Sequence, residues 1–281
     1  MLTAASAACF FLTMHAQQPA GKLILAKGQK MQLDNSVKTI LKLEMMGEQM
    51  EMTADMAMQH HIEVKDKTDS SYFINSTLTK LKSSANAMGQ IKSFDSEKKE
   101  DVEGDGGKML KDVLNVTKQT EYTQQAKIIN HTADTVSSPA NADVMNLLNC
   151  MLNGEANEGN STAEVFLLVP FGKKPGDSWA DSSTSEGIKV FRNFTLKSVL
   201  GNKATVAVTG NQVTNKKIEQ MGMEAFINLN SSIIGESVTD INTGILQQKT
   251  MSMDGTGTAE MMGQTIPVTA KIVADTKVVN R

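Results

Sequence analysis

The chain has 281 residues, is 40 % apolar and only 4 % aromatic, and carries a net charge of −3. That length can bury a substantial core, as one large domain or two smaller ones. The near-balanced charge excludes bulk attraction to nucleic acid or to an anionic membrane. After the start, no apolar run approaches the roughly 20 residues that a membrane helix needs.

Residues 1–16 read as a secretory signal peptide. Leu2–Thr13 is apolar or small, polar sequence begins at His15, and Ala16 offers a small residue at the cut. No Lys or Arg precedes the run, and Met14 is larger than the usual residue at its place. The competing reading is a buried N-terminal helix. Removal of the leader takes Cys9 with it and leaves Cys150 as the only thiol, so no internal disulfide is expected. Residues 17–281 are expected to form one β-rich domain. The alternative is two related halves, at about 22–135 and 160–281.

Val37–Met46 alternates apolar with polar, and Gly47-Glu48 turns it into a longer strand over Gln49–Lys65. There the even side is Met50, Met52, Ala54, Met56, Met58, His60, Ile62 and Val64, a period of two that signals a half-buried strand. Asp66–Asp69 is a turn. Ser70–Met88 continues extended, with a phase slip near Leu81 that predicts a bulge. Gly89-Gln90 turns again into Ile91–Asp95. Ser96–Lys108, charged and Gly-rich, reads as a loop.

Two short helices are predicted, Lys108–Val116 and Ala140–Asn153. The second carries Val144, Leu147, Leu148 and Met151 on one face, with Gly154 as the stop. Glu121–Asn130 between them is a strand. Pro175-Gly176-Asp177 is a turn before the single Trp179. Strands then follow at about Ile188–Leu200, Lys203–Val213, Met223–Asn230, Gly235–Asp240, Ile245–Asp254, Thr258–Met262 and Thr265–Val279. Glu44-Met45-Met46-Gly47 is echoed by Glu260-Met261-Met262-Gly263, each ahead of a long alternating strand. The echo is either a duplicated half or repeated hairpin chemistry.

With these strands in place, the chain resembles a family of uncharacterised secreted proteins typical of Bacteroidota. The resemblance rests on Ala16-Gln17, Phe94-Asp95-Ser96, Pro170 with Gly176-Asp177-Ser178-Trp179, and Asp240-Ile241-Asn242-Thr243-Gly244 followed by a late Met-Gly-Gln hairpin. It implies no particular activity. The plan is also similar, at the level of fold, to the half-barrel of lipoprotein carriers, a curved sheet with helices in its concave face. Such a likeness does not carry function.

Three constellations invite chemistry. Gly176-Asp177-Ser178-Trp179 resembles an esterase nucleophile motif, but no His follows the Ser to activate it, and a turn explains the residues. Asp101, Glu103, Asp105 and Asp112 have the spacing of a calcium loop, with Gly106 at the sixth place. Glu at the third place and Lys108 at the eighth depart from it, and a solvated acidic loop is the simpler reading. Met50, Met52, Met56, Met58 and His60 share one strand face. Thioethers with an imidazole suit Cu(I), while flexible Met filling a core or lining a cavity explains them without metal.

The expected fold is mainly β: a strongly curved antiparallel sheet or open half-barrel with two short helices packed on its concave face. The expected function is non-enzymatic binding in a periplasmic or extracellular compartment. A Met-lined cavity of Met50, Met52, Met56, Met58, Val144, Leu147, Leu148 and Met151 would take a lipid or other hydrophobic small molecule. The alternatives are an envelope structural or interaction protein without a small ligand, and soft-metal binding through Met and His. No catalytic residue, cofactor or nucleic-acid partner is expected.

Overall fold

The computed structural model describes residues 21–45, 47–87, 89–110, 113–131, 165–185, 187–220, 223–261 and 263–281. The N-terminal leader, the helix predicted at 140–153 and Cys150 lie outside them.

Apolar–polar alternation builds twelve strands: β1 Lys30–Met45, β2 Glu48–Lys67, β3 Ser71–Ala87, β4 Gln90–Asp95, β5 Thr117–Thr123, β6 Ile128–His131, β7 Ser178–Ser185, β8 Ile188–Leu200, β9 Lys203–Gln220, β10 Met223–Asp240, β11 Leu246–Met261 and β12 Gln264–Asn280. They form one antiparallel sheet in the order β6-β5-β3-β2-β1-β12-β11-β10-β9-β8-β7, with β4 beside β3. The first and last of these strands therefore pair at the centre, Val37 against Ala274 and Leu41 against Ala270. The two ends of the order, β6 and β7, do not pair with each other among the described residues, so the sheet is open.

Register assigns one face to the interior. Leu33, Val37 and Leu41 of β1 lie level with His60, Met56 and Met52 of β2. On the other side they lie level with Val278, Ala274 and Ala270 of β12. Their even-numbered neighbours Lys38 and Ile40 are exposed. The same phase runs through Ile227, Leu229 and Ile233 of β10 and Ile188, Val190, Phe194 and Leu196 of β8. One apolar cluster joins β8 to β1, five strand positions away in the order.

The sheet curls on itself at one end. Leu23 N–H donates to Gln124 O beyond β5 (2.7 Å), and the adjacent Ile24 N–H donates to Thr243 O ahead of β11 (3.1 Å). In the sheet β5 and β11 are five steps apart, about 24 Å if flat at the usual strand spacing. Only a strong curl lets consecutive residues reach both. Residues 165–170 lie across the same end. Leu167 N–H donates to Gly244 O (2.9 Å), Thr239 Oγ1 donates to Leu167 O (2.9 Å), and Phe166 meets the Tyr122 ring edge-on at 5.5 Å. Tyr72, Tyr122, Val165, Ile245 and Leu246 complete an apolar plug with Leu23 and Leu25.

At the opposite end the strands join by two-residue hairpins. Met45 pairs with Glu48, Ala87 with Gln90, Ser185 with Ile188, Gln220 with Met223 and Met261 with Gln264. Gly47 and Gly263 have positive φ (80° and 75°), which such turns require and glycine supplies without strain. The two echoed Glu-Met-Met-Gly sequences thus mark equivalent hairpins flanking the central β1–β12 pair.

Several expectations need correction. Residues read as the loop Ser96–Lys108 form α1 Lys99–Glu103 and α2 Asp105–Leu110, and the helix predicted at Lys108–Val116 begins and ends earlier. Gly106 allows this, since a Cβ there would come within 3.1 Å of the Phe94 ring. Glycine read as a loop signal is instead a contact point between helix and sheet. Glu121–Asn130 is a hairpin of β5 and β6, not one strand. The breaks expected within β10 and β11 are absent, because partners on both sides carry the pairing through Ser231–Ile234 and Gly255–Gly257. Polar β7 was not anticipated. The bulge expected in β3 is present, as a register shift where Gln59 pairs with Lys80 but His60 with Leu78.

Tyr72 fastens the plug: its hydroxyl donates to Leu23 O (2.9 Å) and accepts from Leu25 N–H (3.4 Å). Tyr72→Phe should lower unfolding free energy by roughly 1 to 2 kcal/mol and accelerate amide exchange at Leu23 and Leu25. Denaturant titration and hydrogen-exchange mass spectrometry check both.

Candidate functional site: the concave face

The methionine strand lies on the concave face, but its residues divide between two clusters. Met52 packs with Leu43, Met251 and Ala274 against the central core. Met56 and Met58 pack with Leu78, Leu81 and Phe94 beneath Leu110, Val113 and Leu114, where α2 and its continuation cover β3 and β4. Met50, Met52, Met56 and Met58 are all half-buried. The expected cavity partners Val144, Leu147, Leu148 and Met151 lie outside the described residues.

The middle of the trough is filled, since the cluster joining β8 to β1 leaves the central rows of the inner face buried. Among the described residues, clefts occur at strand ends. One, of about 320 Å³, is bordered by Lys217, Phe226, Glu260 and Gln264; the other, of about 90 Å³, by Gln29, Asp240, Leu246 and Val278. Neither touches the methionine strand. Half-buried inner positions beside it are Leu43 of β1 and Ala85 and Ala87 of β3.

The calcium-spaced carboxylates are set in short helices. Asp101 Oδ2 accepts the Asp95 N–H (2.7 Å), and Asp105 Oδ1 accepts from Lys108 Nζ (3.0 Å). Asp112 lies outside the described residues. Among those residues, no three His, Cys, Asp or Glu side chains converge as a metal site would require. The esterase-like Ser178 sits at the start of β7, its Oγ 2.8 Å from Thr195 Oγ1.

A polar group that the sequence reading missed stands on the inner face of β7 and β8. Arg192 Nε and Nη2 donate to the two oxygens of Asp181 (2.8 and 3.0 Å). In the next register position Trp179 stacks on Phe194, ring centres 5.5 Å apart and nearly parallel at 11°. The guanidinium lies 5.8 Å from the Phe194 ring centre. Burial pushes the Asp181 carboxyl up to about 6, opposed by Lys249, and holds Arg192 below its ordinary range. Lys249 is on β11, four strand positions from β7, so its influence again reports the curl.

The Arg192 side chain is mostly covered (19 % exposed) but Asp181 is nearly half open to solvent (46 %), and an ion pair so exposed contributes little to stability. The signal was available in the alternation: Arg192 is in phase with Ile188, Val190, Phe194 and Leu196.

The chain matches the model of a family of unknown function (DUF6263) over residues 69–246. It belongs to that family. No curated protein matches it in sequence. Among solved structures it is similar to lipovitellin, in a structure concerned with lipid–protein interactions, at TM-score 0.53 and 12 % identity over 91 % of this chain and 25 % of that one. The chain thus spans about a quarter of lipovitellin, and the likeness shows a shared fold. It also aligns with an outer-membrane channel of Pseudomonas putida F1, at TM-score 0.25 and 8 % identity over 92 % of this chain and 98 % of that one. DynF from the dynemicin pathway of Micromonospora chersina aligns at TM-score 0.24 and 5 % identity over 93 % and 86 %. Among the described residues no helix is long and apolar enough to cross a membrane, which leaves open what strands do.

His60, 7 % exposed, has its Nδ1 3.4 Å from Ser76 Oγ. Burial first, then Lys118, pulls its pKa down to about 4 from 6.5. The folded state therefore binds this proton less readily than the unfolded chain. The resulting stability is fully present above pH 6.5 and is lost as pH falls towards 4, roughly 3 kcal/mol in all. His60→Gln should remove that part of the pH dependence, as read from denaturation midpoints between pH 4 and 7.

Proposed function

We propose that this protein is a non-enzymatic binding protein, exported to a periplasmic or extracellular compartment, that holds a lipid or other hydrophobic small molecule against its concave face. One observation carries the reading: half-buried Met50 and Met52, with Leu43 beside them, form an apolar margin on the inner wall of a sheet open along both edges. Thioether side chains are unbranched and polarisable, and adapt to acyl chains of differing shape. The plug at the other end gives the trough a floor. Lipovitellin, whose structure concerns lipid–protein interactions, shares the fold and is compatible with this reading.

Among the described residues, the polar groups of the inner wall suit binding better than catalysis. Arg192 and Asp181 neutralise each other, and His60 is held neutral beneath other side chains. A soft metal has less support, because Met52 and the Met56–Met58 pair turn to separate apolar clusters.

Purified full-length protein, analysed by native mass spectrometry and solvent extraction, should carry an apolar molecule near one per chain. It should also take up a fluorescent hydrophobic probe once delipidated. Met50→Asp should reduce probe uptake several-fold with the circular dichroism spectrum unchanged. A ligand-free protein that takes up no probe would sink the reading.

A further inference from the structure

The plug end of the sheet differs from the hairpin end in charge and in what its loops expose. The segments outside the strands there are 21–29, 68–70, 124–127, 165–177, 201–202, 241–245 and Arg281. Ile24 (62 % exposed), Phe171 (78 %) and Ile241 project from these loops, and Leu200 (76 %) borders the 201–202 turn. Backbone contacts set the tips side by side. Ile24 N–H donates to Thr243 O (3.1 Å), and Ile241 N–H donates to Asn202 O (2.8 Å). Phe171 follows Val169, whose carbonyl oxygen lies 2.6 Å from where a Cβ on Gly21 would stand. The first, fourth, fifth and sixth of these segments therefore adjoin.

The same end is basic. Beside the apolar tips stand Lys22, Lys173, Lys174 and Lys203, against Asp177 and Asp240. Asp177 Oδ2 accepts the Lys174 N–H (2.8 Å). Asp240 Oδ1 accepts the N–H groups of Asn242 and Thr243 (2.9 and 3.0 Å). Both carboxylates are thus used in holding turns. Around the rest of the rim, Lys27 pairs with Asp66 (2.9 Å), and Lys30, Lys67, Lys127 and Arg281 stand against Asp69. At the opposite end, the described residues that border the hairpins carry a single charge, Glu48. The net charge of −3 disfavours attraction of the whole chain to an anionic surface, but the fold gathers cations at one end, where such a surface would feel them first.

We propose that the plug end is a membrane-docking face. Ile24, Phe171, Leu200 and Ile241 enter the boundary between headgroups and acyl chains, while the lysines around them meet anionic phospholipid. Burial of apolar side chains in the interface and attraction of each nearby lysine reinforce one another. The loop backbone suits this placement. The N–H groups of Ile24, Lys174, Ile241, Asn242, Thr243 and Gly244 are all bonded within the protein, so inserting these loops strips little water from unpaired donors. The cleft of about 90 Å³ at this end is bordered by none of the four apolar tips. Separate tips on separate loops need no fitted pocket in a fluid interface, whereas a protein partner would have to supply one for each. Docking does not require that the concave face hold a ligand.

Flotation of the full-length protein with vesicles of phosphatidylcholine, alone or with about 30 % phosphatidylglycerol, measures the attraction. Phosphatidylglycerol should raise the bound fraction, and about 0.5 M salt should remove the increase. Phe171→Ser/Leu200→Ser and Lys22→Gln/Lys174→Gln/Lys203→Gln should each weaken partition at least about tenfold. Ile234→Ser/Lys271→Gln, at exposed positions of the outer sheet face, should leave it unchanged. Residues 1–20 are common to every variant, so a loss confined to the plug-end variants does not come from the apolar leader. Partition indifferent to phosphatidylglycerol, or kept in full by either plug-end variant, overturns the proposal. So does a protein that ignores vesicles but forms a dimer that Phe171→Ser/Leu200→Ser dissolves, since a second copy would then be the occupant. If a variant fails to fold by circular dichroism, the phosphatidylglycerol and salt dependence of the natural protein decides.

Discussion

A single sheet with one apolar face cannot hide that face against a second sheet. The structure depends on solving this by curvature. Consecutive residues Leu23 and Ile24 hydrogen-bond to opposite parts of the curled sheet, and one apolar cluster reaches from β8 to β1. The curl brings the inner rows together into a core that no pair of neighbouring strands could make alone. The plug of residues 21–26 and 165–170 then seals one end of the curled sheet.

The same curl creates the site. An inward-facing charge on a flat sheet would simply be solvated. Here, Lys249 on β11 acts on Asp181 of β7, and Lys118 of β5 acts on His60 of β2. Arg192 and Asp181 occupy cross-strand positions beside the Trp179–Phe194 stack. The inner face is therefore mainly apolar, with a few charged side chains brought within reach of one another by the curl.

How much of this was legible differs between elements. β1, β2, β8, β9 and β12 could be read from alternation, and so could the bulge in β3, because burial of one face imposes a strict period of two. β10 and β11 looked broken at Ser231-Ser232 and Gly255–Gly257, since local propensity is poor there. Pairing on both sides overrode it. The Gly106–Gly107 segment looked like a loop because glycine is read locally, whereas its use is contact with Phe94. For the site, Met50, Met52, Met56 and Met58 were correctly placed on one face. Arg192 and Lys249 were passed over, although each stands in phase with apolar neighbours.

A mainly β chain, the residues that share a face, and the positions of the main hairpin turns were all readable from the amino-acid order. These follow from periodicity and turn chemistry, which act over a few residues. It took the folded chain to set β1 beside β12 at the centre, to divide the methionines between two clusters, and to bring Lys249 of β11 within reach of Asp181 on β7. Strand order and curvature bring together residues far apart in the chain, and no local pattern encodes which ones will meet.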